Sequence, residues 1–239
     1  MRIVAVTSQK GGSGKTTITG HLAVEAARMS GEPVALIDTD PQGSLTDWWN
    51  EREAEQPLFA QATLSTLDQD LARLKEVGVR LVFIDTPPAI TNAIQTVVSR
   101  SDLVIIPTRP SPHDLRAAGK TVDMVERAGK PLVFVVNSAT ARARLTGEAA
   151  IALSQHGTVA PTILHNRQDF AASMIDGRTV MEANEAGKSA EEVSMLWHYI
   201  DDRIKRLPVK SSFRSLHSPR NGFGNRPQIS EQSTQVASH

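Results

Sequence analysis

The amino-acid sequence predicts an α/β protein with a doubly wound, mostly parallel β-sheet and helices on both faces. Short β-rich runs alternate with stretches of helical periodicity along residues 1–207. Most of these runs are apolar throughout, which is typical of strands with both faces buried. Polar motifs directly follow several of the runs, and ligands of open parallel sheets bind at the carboxyl ends of the strands.

Six strands and six helices account for the alternation. The predicted strands are Ile3–Val6, Val34–Ile37, Leu81–Ile84, Leu103–Ile106, Leu132–Val136 and Val159–Leu164. The predicted helices lie at about 15–29, 67–77, 91–100, 113–128, 146–156 and 187–206. Because a helix separates most successive strands, the strands are expected to run parallel.

The C-terminal segment 208–239 differs in composition from the rest of the chain. It is rich in Ser, Asn, Gln, Pro and Gly and poor in aliphatic side chains, so it cannot bury enough apolar surface to offset its chain entropy. We therefore predict one ordered domain over 1–207 and a disordered basic and polar tail over 208–239. Residues 203–239 contain seven Lys and Arg side chains against Glu231 alone, although the net charge of the chain is zero. Such a tail either contacts phosphate backbones or is only solvated, and both alternatives stay open.

Composition also narrows the class of protein. The chain has no cysteine, which excludes disulfides and cysteine-ligated metals and suits a reducing cytosol. Residues 1–6 lead directly into a glycine-rich stretch, without the apolar region of a secretory leader. No apolar run approaches the roughly 18 residues of a membrane-spanning helix. We expect a soluble cytoplasmic protein with no membrane partner.

The stretch QKGGSGKTT, residues 9–17, follows the first predicted strand and enters the first predicted helix. Its glycines allow backbone N–H groups to surround phosphates, and the helix adds the positive end of its dipole. Lys15 is expected to reach the β- and γ-phosphates, and Thr16 to place its hydroxyl on Mg²⁺. The predicted nucleotide-binding residues of this loop are Gly11, Gly12, Ser13, Gly14, Lys15, Thr16 and Thr17. The loop departs from the common pattern at Gln9, where a glycine is expected, and at Lys10, a second lysine.

Three aspartates follow buried strands. Asp38 and Asp40 occur in LIDTDPQ, and Asp85 ends LVFID. Two adjacent carboxylates repel each other unless a cation or an ordered water lies between them, and a magnesium–nucleotide complex would provide one. Asp85 is placed as the carboxylate that holds Mg²⁺ in phosphoryl-transfer proteins. Thr16 and these carboxylates therefore predict a magnesium site at the ends of the strands.

The motifs KGGSGKTT, DTDPQ and IDTPP, in this order and spacing, resemble those of the ParA/MinD family of deviant Walker-A ATPases. The resemblance covers about residues 1–207. Residues 102–119 and 174–183 are similar to the small plasmid-partition ParA branch, of which ParF is an example. The resemblance implies a P-loop NTPase fold of the deviant Walker-A type and a slow, switch-like ATP hydrolase that uses ATP and Mg²⁺.

The resemblance also implies roles for individual residues. Lys10 matches the signature lysine that crosses the dimer interface to the partner's phosphates, so that two subunits enclose two ATP molecules. A cation arriving in this way offsets phosphate charge and makes dimerisation depend on the γ-phosphate. Asp40 is expected to orient or activate the attacking water, so Lys10, Lys15 and Asp40 form the predicted catalytic set. The resemblance places Asp38 near the Mg²⁺ shell, so the predicted metal-binding residues are Thr16, Asp38 and Asp85. Asn137, which ends a predicted strand, is expected to contact adenine.

Partners follow from the same resemblance. We expect a homodimer on ATP, non-specific binding to DNA in the nucleoid, and a ParB-like or other activator that stimulates hydrolysis. The candidate DNA-contacting residues are Arg142, Arg144, Arg167 and Arg178, since spread arginines bind phosphates without reading sequence. The cargo is open between a plasmid, a chromosome and a protein assembly such as chemoreceptor clusters or carboxysomes.

Two other classes of protein are also considered. A MinD-like membrane-cycling regulator needs a C-terminal amphipathic helix, whereas 187–207 read as an ordinary domain helix and the tail lacks Leu and Phe at helical spacing. A metabolic enzyme on the same scaffold would need a cysteine-ligated cluster, as in nitrogenase iron protein, or a substrate pocket, as in dethiobiotin synthetase. The chain has no cysteine, and no such pocket is identifiable from its sequence.

Overall fold

The computed structural model describes residues 1–88 and 92–208. The described strands are β1 Arg2–Val6, β2 Val34–Asp38, β3 Leu58–Gln61, β4 Leu81–Asp85, β5 Leu103–Thr108, β6 Leu132–Val136 and β7 Thr158–Val159. The described helices are α1 Lys15–Ser30, α2 Ser44–Asn50, α3 Leu67–Glu76, α4 Asn92–Arg100, α5 Pro112–Arg127, α6 Arg144–Ser154, α7 Gln168–Met174, α8 Val180–Ala183 and α9 Lys188–Arg206. The predicted α/β architecture is confirmed.

The strands form one sheet in the order β3-β2-β4-β1-β5-β6-β7, and all pairs of neighbours are parallel. β1 lies between β4 and β5, so the chain builds the sheet outward on both sides of its first strand. Asp38 and Asp85 are opposite each other across β2 and β4, and Val6 is opposite Asp85 across β1 and β4. The ends of these three strands therefore meet at one edge of the sheet, next to the β1–α1 loop.

The hydrophobic core lies on both faces of the sheet, because successive side chains of a strand point to opposite faces. On one face, Val4, Leu36 and Phe83 pack with α1 and α9. On the other, alternate strand residues such as Ala5 and Ile106 pack with α3, α4, α5 and α6. α9 contributes Val193, Leu196, Trp197, Ile200 and Ile204 to this core, so its apolar side is occupied within the domain. Within the ranges given above, no helix is both long and apolar enough to span a bilayer.

Several elements differ from the sequence prediction. β3, α2, α7 and α8 were not predicted. The last strand ends at Val159 rather than at Leu164, and Pro161, which cannot donate a ladder hydrogen bond, follows shortly after it. Thr91, at the start of one predicted helix, and all of the predicted tail after Pro208 fall outside the described residues. The division into domain and tail therefore stays a prediction.

Candidate nucleotide-binding site

The loop between β1 and α1 has a backbone that only glycine adopts readily. Gly12 has φ 70° and Gly14 has φ 92°, both in the left-handed region. A Cβ atom at Gly14 would lie 2.1 Å from Asn137 Nδ2, so this position has no room for a side chain. Gly14 is also the N-cap of α1, and no side chain of residues 1–88 or 92–208 caps that helix. The first amides of α1 therefore remain available to an anion, as in known phosphate-binding helix termini.

Three polar side-chain atoms in and next to the loop lack partners among the residues that the structure describes. Thr7 Oγ1, Gln9 Nε2 and Ser13 Oγ are buried without a hydrogen-bond partner in the described chain. Buried polar groups are rarely left unsatisfied unless a ligand, ion or water completes them. Beside them an open cleft of about 590 Å³ is lined by the loop glycines, Lys15, Thr16 and Asp40. The residues of this loop fit a bound phosphate chain.

Lys15 begins α1 and is only 8% exposed. Burial lowers the pKa of its ammonium group, while the negative charges of Asp85 and Asp40 act in the opposite direction. A buried ammonium group whose charge is only partly neutralised by nearby carboxylates has a strong preference for an anionic ligand. This is the environment that a phosphate-binding lysine requires.

Thr16 and Asp85 form the centre of the candidate magnesium site. Thr16 Oγ1 donates to Asp85 Oδ2 at 2.6 Å. Burial raises the pKa of Asp85 to about 7; the charge of Asp38 acts in the same direction, against the Thr16 hydrogen bond and the charge of Lys15. A hydroxyl and a carboxylate oxygen in contact are hard ligands of the kind that Mg²⁺ prefers. When bound, Mg²⁺ would supply charge neutralisation for the phosphates, and these two residues would hold it.

Asp38 stabilises the start of α2 in addition to lying near the candidate magnesium site. Its Oδ2 accepts from the backbone N–H groups of Leu45 and Thr46 at 3.1 and 3.0 Å, and from Thr46 Oγ1 at 3.0 Å. Its Oδ1 accepts from the N–H of Asp40 at 3.0 Å. Both oxygens are thus engaged, and Asp38 holds the N-terminus of α2. Its predicted place in the metal shell stays a prediction.

Asp40 is placed differently. One oxygen, Oδ1, accepts from the N–H of Gln42 at 3.0 Å, and the carboxylate lines the cleft next to the loop. Among the described residues, the other oxygen has no hydrogen bond. A half-buried carboxylate with an open oxygen at the cleft can accept a proton from, or orient, a water molecule.

The second lysine of the loop lies apart from the first. The Lys10 side chain is 35% exposed, and its Nζ is 3.5 Å from Asp114 Oδ2 on α5. Lys10 is therefore held at the mouth of the cleft by a residue of its own subunit. Its predicted contact with a partner's phosphates stays a prediction.

Asn137 follows β6 and contacts the loop directly. Its Nδ2 donates to the carbonyl oxygen of Ser13 at 2.8 Å. In this structure the Asn137 amide thus supports the phosphate loop, while its expected contact with adenine stays a prediction.

The four arginines predicted to bind DNA are on the surface, and three form ion pairs within the chain. Arg144 pairs with Glu148 at 3.0 Å, Arg167 with Glu192 at 2.7 Å and Arg178 with Asp176 at 2.6 Å. Arg142 has no such pair within the described residues and has φ 59°, in the loop before α6. The predicted DNA contacts stay a prediction.

Sequence reasoning missed the residues that surround Lys10. Arg109, Ser111 and Asp114 lie at the start of α5 and form one polar cluster with it. The spacing of Ser111 and Asp114 is that of an N-cap and its third helical residue, which would have indicated the helix start. No sequence pattern indicated that this cap also contacts the phosphate loop.

Residues 4–180 match the CobQ/CobB/MinD/ParA nucleotide-binding domain family. The carboxysome distribution protein A of Halothiobacillus neapolitanus is 29% identical over 79% of this chain and 91% of its own length. A ParA protein of Rhizobium radiobacter is 32% identical over 52% of this chain and 56% of its own length.

Solved structures agree on the fold. The MinC:MinD complex of Aquifex aeolicus matches with a TM-score of 0.70 at 16% identity, over 88% of this chain and 99% of that one. An ATP complex of Cyanothece McdA matches with a TM-score of 0.69 at 17% identity, over 87% and 98%.

Proposed function

This chain belongs to the CobQ/CobB/MinD/ParA nucleotide-binding family, and we propose that within it the protein is a ParA-type positioning ATPase. In this proposal it binds Mg·ATP, dimerises, binds DNA without sequence preference and is returned to the monomer by slow hydrolysis. A ParB-like or other activator stimulates that hydrolysis. The cycle takes place in the cytoplasm, on the nucleoid while ATP is bound.

The observation that supports this function best is that two lysines in one loop have different environments. Lys15 is buried beside Thr16 and Asp85, where the subunit's own nucleotide would lie. Lys10 is partly exposed at the rim, and its Nζ pairs with Asp114 on α5 rather than with Asp85 or Asp40. A second cation at the rim suits contact with phosphates that arrive with another subunit, since the charge of a γ-phosphate then favours association.

The hydrolytic step is assigned to Asp40. Asp40 lines the cleft, and its position after β2 puts it on the same sheet edge as Asp85. Orienting one water molecule without further activation gives slow hydrolysis, as a switch requires.

The proposed cargo is a plasmid, a chromosome or a large protein assembly. Relatives of this chain include carboxysome distribution proteins and a ParA protein, which supports positioning as the shared function. The membrane-cycling alternative finds no support in α9, because the apolar side of that helix is already buried in the core.

DNA binding measured with ATP, ADP and no nucleotide across a salt series tests the proposal. We expect binding only with Mg·ATP, equal affinity for unrelated sequences and a steep loss of affinity with salt, because released counterions drive the association. Lys15→Ala is the control that should not bind under any condition. Nucleotide-independent binding, or ATP-dependent binding to anionic vesicles instead of DNA, would contradict it.

A further inference from the structure

The N-terminus of α5 holds a buried carboxylate that contacts two cations. Asp114 Oδ1 accepts from Arg109 Nε at 3.1 Å, and Oδ2 lies 3.5 Å from Lys10 Nζ. Ser111, the N-cap of α5, donates its hydroxyl to Oδ2 and accepts from the N–H of Asp114. The Asp114 side chain is only 4% exposed, whereas the Lys10 and Arg109 side chains are 35% and 36% exposed.

The carboxylate is kept ionised by these contacts. Burial acts to raise the pKa of Asp114, but the hydrogen bonds from Ser111 and Arg109 and the charges of Arg109 and Lys10 outweigh it and lower the pKa. A buried carboxylate of this kind is costly to leave without a cation. Any movement of Lys10 therefore depends on what else neutralises Asp114.

Arg109 provides that neutralisation. If Lys10 leaves, Oδ1 still accepts from Arg109 and Oδ2 still accepts from Ser111, so the carboxylate keeps two donors, one of which is a cation. The Lys10 contact is also the longest of the three and comes from a flexible side chain at the rim. Lys10 can therefore depart and leave Asp114 paired with Arg109.

We propose that Asp114 is a positioning residue that holds Lys10 in the nucleotide-free monomer, and that nucleotide phosphates compete with Asp114 for Lys10 while Arg109 stays. This inference rests on the proposed function, in which Lys10 crosses to the partner's phosphates. Lys10 must first break its contact with Asp114 of its own subunit, and Arg109 is the second cation that lets Lys10 exchange Asp114 for phosphates.

The proposal predicts opposite effects for two substitutions in one cluster. Asp114→Asn keeps the shape and the Ser111 contact but removes the charge that attracts Lys10, so dimerisation should occur more readily. Arg109→Gln leaves Lys10 as the only cation on Asp114, so Lys10 should be released less readily and dimerisation should weaken. The double variant should behave like Asp114→Asn, because Arg109 then has no carboxylate to neutralise.

Sedimentation velocity of the full chain with Mg²⁺ and a non-hydrolysable ATP analogue measures this. We expect the dimerisation midpoint, the protein concentration at which half of the chains are dimeric, to fall about three- to tenfold in Asp114→Asn and to rise by a similar factor in Arg109→Gln. Forming each dimer breaks two partly exposed ion pairs, one in each subunit. Arg116→Gln, an exposed arginine on the same helix, is the matched control and should not shift it. Thermal unfolding of each variant checks that α5 remains folded.

A second measurement needs no nucleotide. Acetylation of the free chain with acetic anhydride, read for each lysine by mass spectrometry, should label Lys10 faster in Asp114→Asn than in the wild type. Lys120, which is exposed on α5, should be labelled at the same rate in both. Unchanged Lys10 labelling would show that Asp114 does not hold the amine and would overturn the inference.

The outcomes separate the inference from the proposed function. One outcome is that Lys10→Ala loses dimerisation, while the Asp114 and Arg109 variants shift the dimerisation midpoint in the same direction or not at all. The inference is then wrong and the proposed function stands. If Lys10→Ala dimerises normally, the assigned role of Lys10 is wrong and the exchange falls with it. If Arg109→Gln loses nucleotide affinity as a monomer, Arg109 contacts the subunit's own phosphates and does not act through Asp114.

Discussion

At the scale of single residues, two lysines five positions apart have different environments. Lys15 is buried between carboxylates at the start of α1, whereas Lys10 is at the rim on Asp114. We expect Lys15→Ala to weaken nucleotide binding by at least about 100-fold, because it removes a desolvated charge from the phosphates. Titration of a fluorescent ATP analogue into the monomer measures this.

Lys10→Ala is the matched comparison. It removes an equal charge from the same loop, but one that does not face the subunit's own site, so monomer affinity should change by no more than a few-fold. Equal losses in the two variants would show that both lysines serve one nucleotide and would refute the division between them.

Asp38 and Asp40 are separated by one residue but differ in their contacts. Asp40→Ala should leave ATP binding and dimerisation intact and lower the hydrolysis rate by about 100-fold or more, since it removes the group that orients water. Asp38→Ala should instead lower the free energy of unfolding by about 2 kcal/mol, because the N–H groups of Leu45 and Thr46 lose their acceptor.

Phosphate-release kinetics and urea unfolding of both variants test this distinction. A normal turnover rate in Asp40→Ala would remove Asp40 from the hydrolytic step. Normal stability in Asp38→Ala would mean that α2 does not depend on this carboxylate.

At the scale of elements, sequence reasoning worked where an element has its own pattern. β1 and β4 each contain four consecutive apolar residues and β6 contains five, and α5 and α9 have 16 and 19 residues with a clear apolar side. The missed helices are short: α2 and α7 have seven residues and α8 has four. Helices of this length lack a readable period and are marginal alone, so distant contacts decide whether they form.

Those contacts are concentrated around Arg52, just after α2. Its guanidinium donates to Glu182 of α8 at 2.6 Å and to the carbonyl oxygen of Gly177 at 2.8 Å. The Trp48 indole donates to the carbonyl oxygen of Arg178 at 3.1 Å. α2, which Asp38 holds at its other end, is therefore fastened to the segment between α7 and α8.

Gly177 is the tightest point of this junction. It has φ 72°, and a Cβ there would lie 2.4 Å from the Cα of Arg52. We expect Gly177→Ala to lower the free energy of unfolding by about 3 kcal/mol or more, because left-handed strain adds to a clash with backbone that cannot move aside. Chemical denaturation measures it.

Gly78→Ala is the control for the strain alone. Gly78 has φ 90°, but a Cβ there would meet no described atom within 4 Å, so the loss of unfolding free energy should be near 1 kcal/mol. Equal losses of unfolding free energy in Gly177→Ala and Gly78→Ala would mean that α2 and the α7–α8 segment can separate at no cost in stability.

At the scale of the whole molecule, the position of the site could be predicted, whereas its internal contacts could not. Parallel strands with carboxyl ends at one edge bring Asp38 and Asp85 together whatever the loops do. The Asn137 contact with Ser13 and the Asp114 contact with Lys10 join residues 124 and 104 positions apart. Such pairs depend on loop conformation and side-chain packing, which have no local period in sequence.

One buried histidine connects α1 to α8, and we expect its lowered pKa to make global stability depend on pH. The N–H of Val180 donates to His21 Nε2 at 3.2 Å, so the ring proton is on Nδ1, which lies 2.8 Å from the carbonyl oxygen of Thr17. Burial lowers the pKa of His21 to about 4, against the Thr17 hydrogen bond and the charge of Glu182. Protonation would require Nε2 to lose its contact with Val180.

The sign of the effect follows from proton uptake. Between pH 6.5 and about 4 the unfolded chain binds a proton at this residue and the folded chain does not, so the His21 contribution is complete above pH 6.5 and is lost as the pH falls. The lowered pKa corresponds to roughly 3 kcal/mol. Asp85, whose pKa is raised, acts with the opposite sign up to about pH 7, so the wild-type profile alone is not diagnostic.

Urea unfolding of the wild type and His21→Gln, from pH 4.5 to 7.5 without nucleotide, isolates the effect of His21. Glutamine can donate and accept but does not titrate, so the difference in unfolding free energy between the two proteins should shrink as the pH falls through 6.5. His156→Gln, which removes an exposed histidine, should run parallel to the wild type. A pH-independent difference for His21→Gln would show that the ring is not held neutral between α1 and α8.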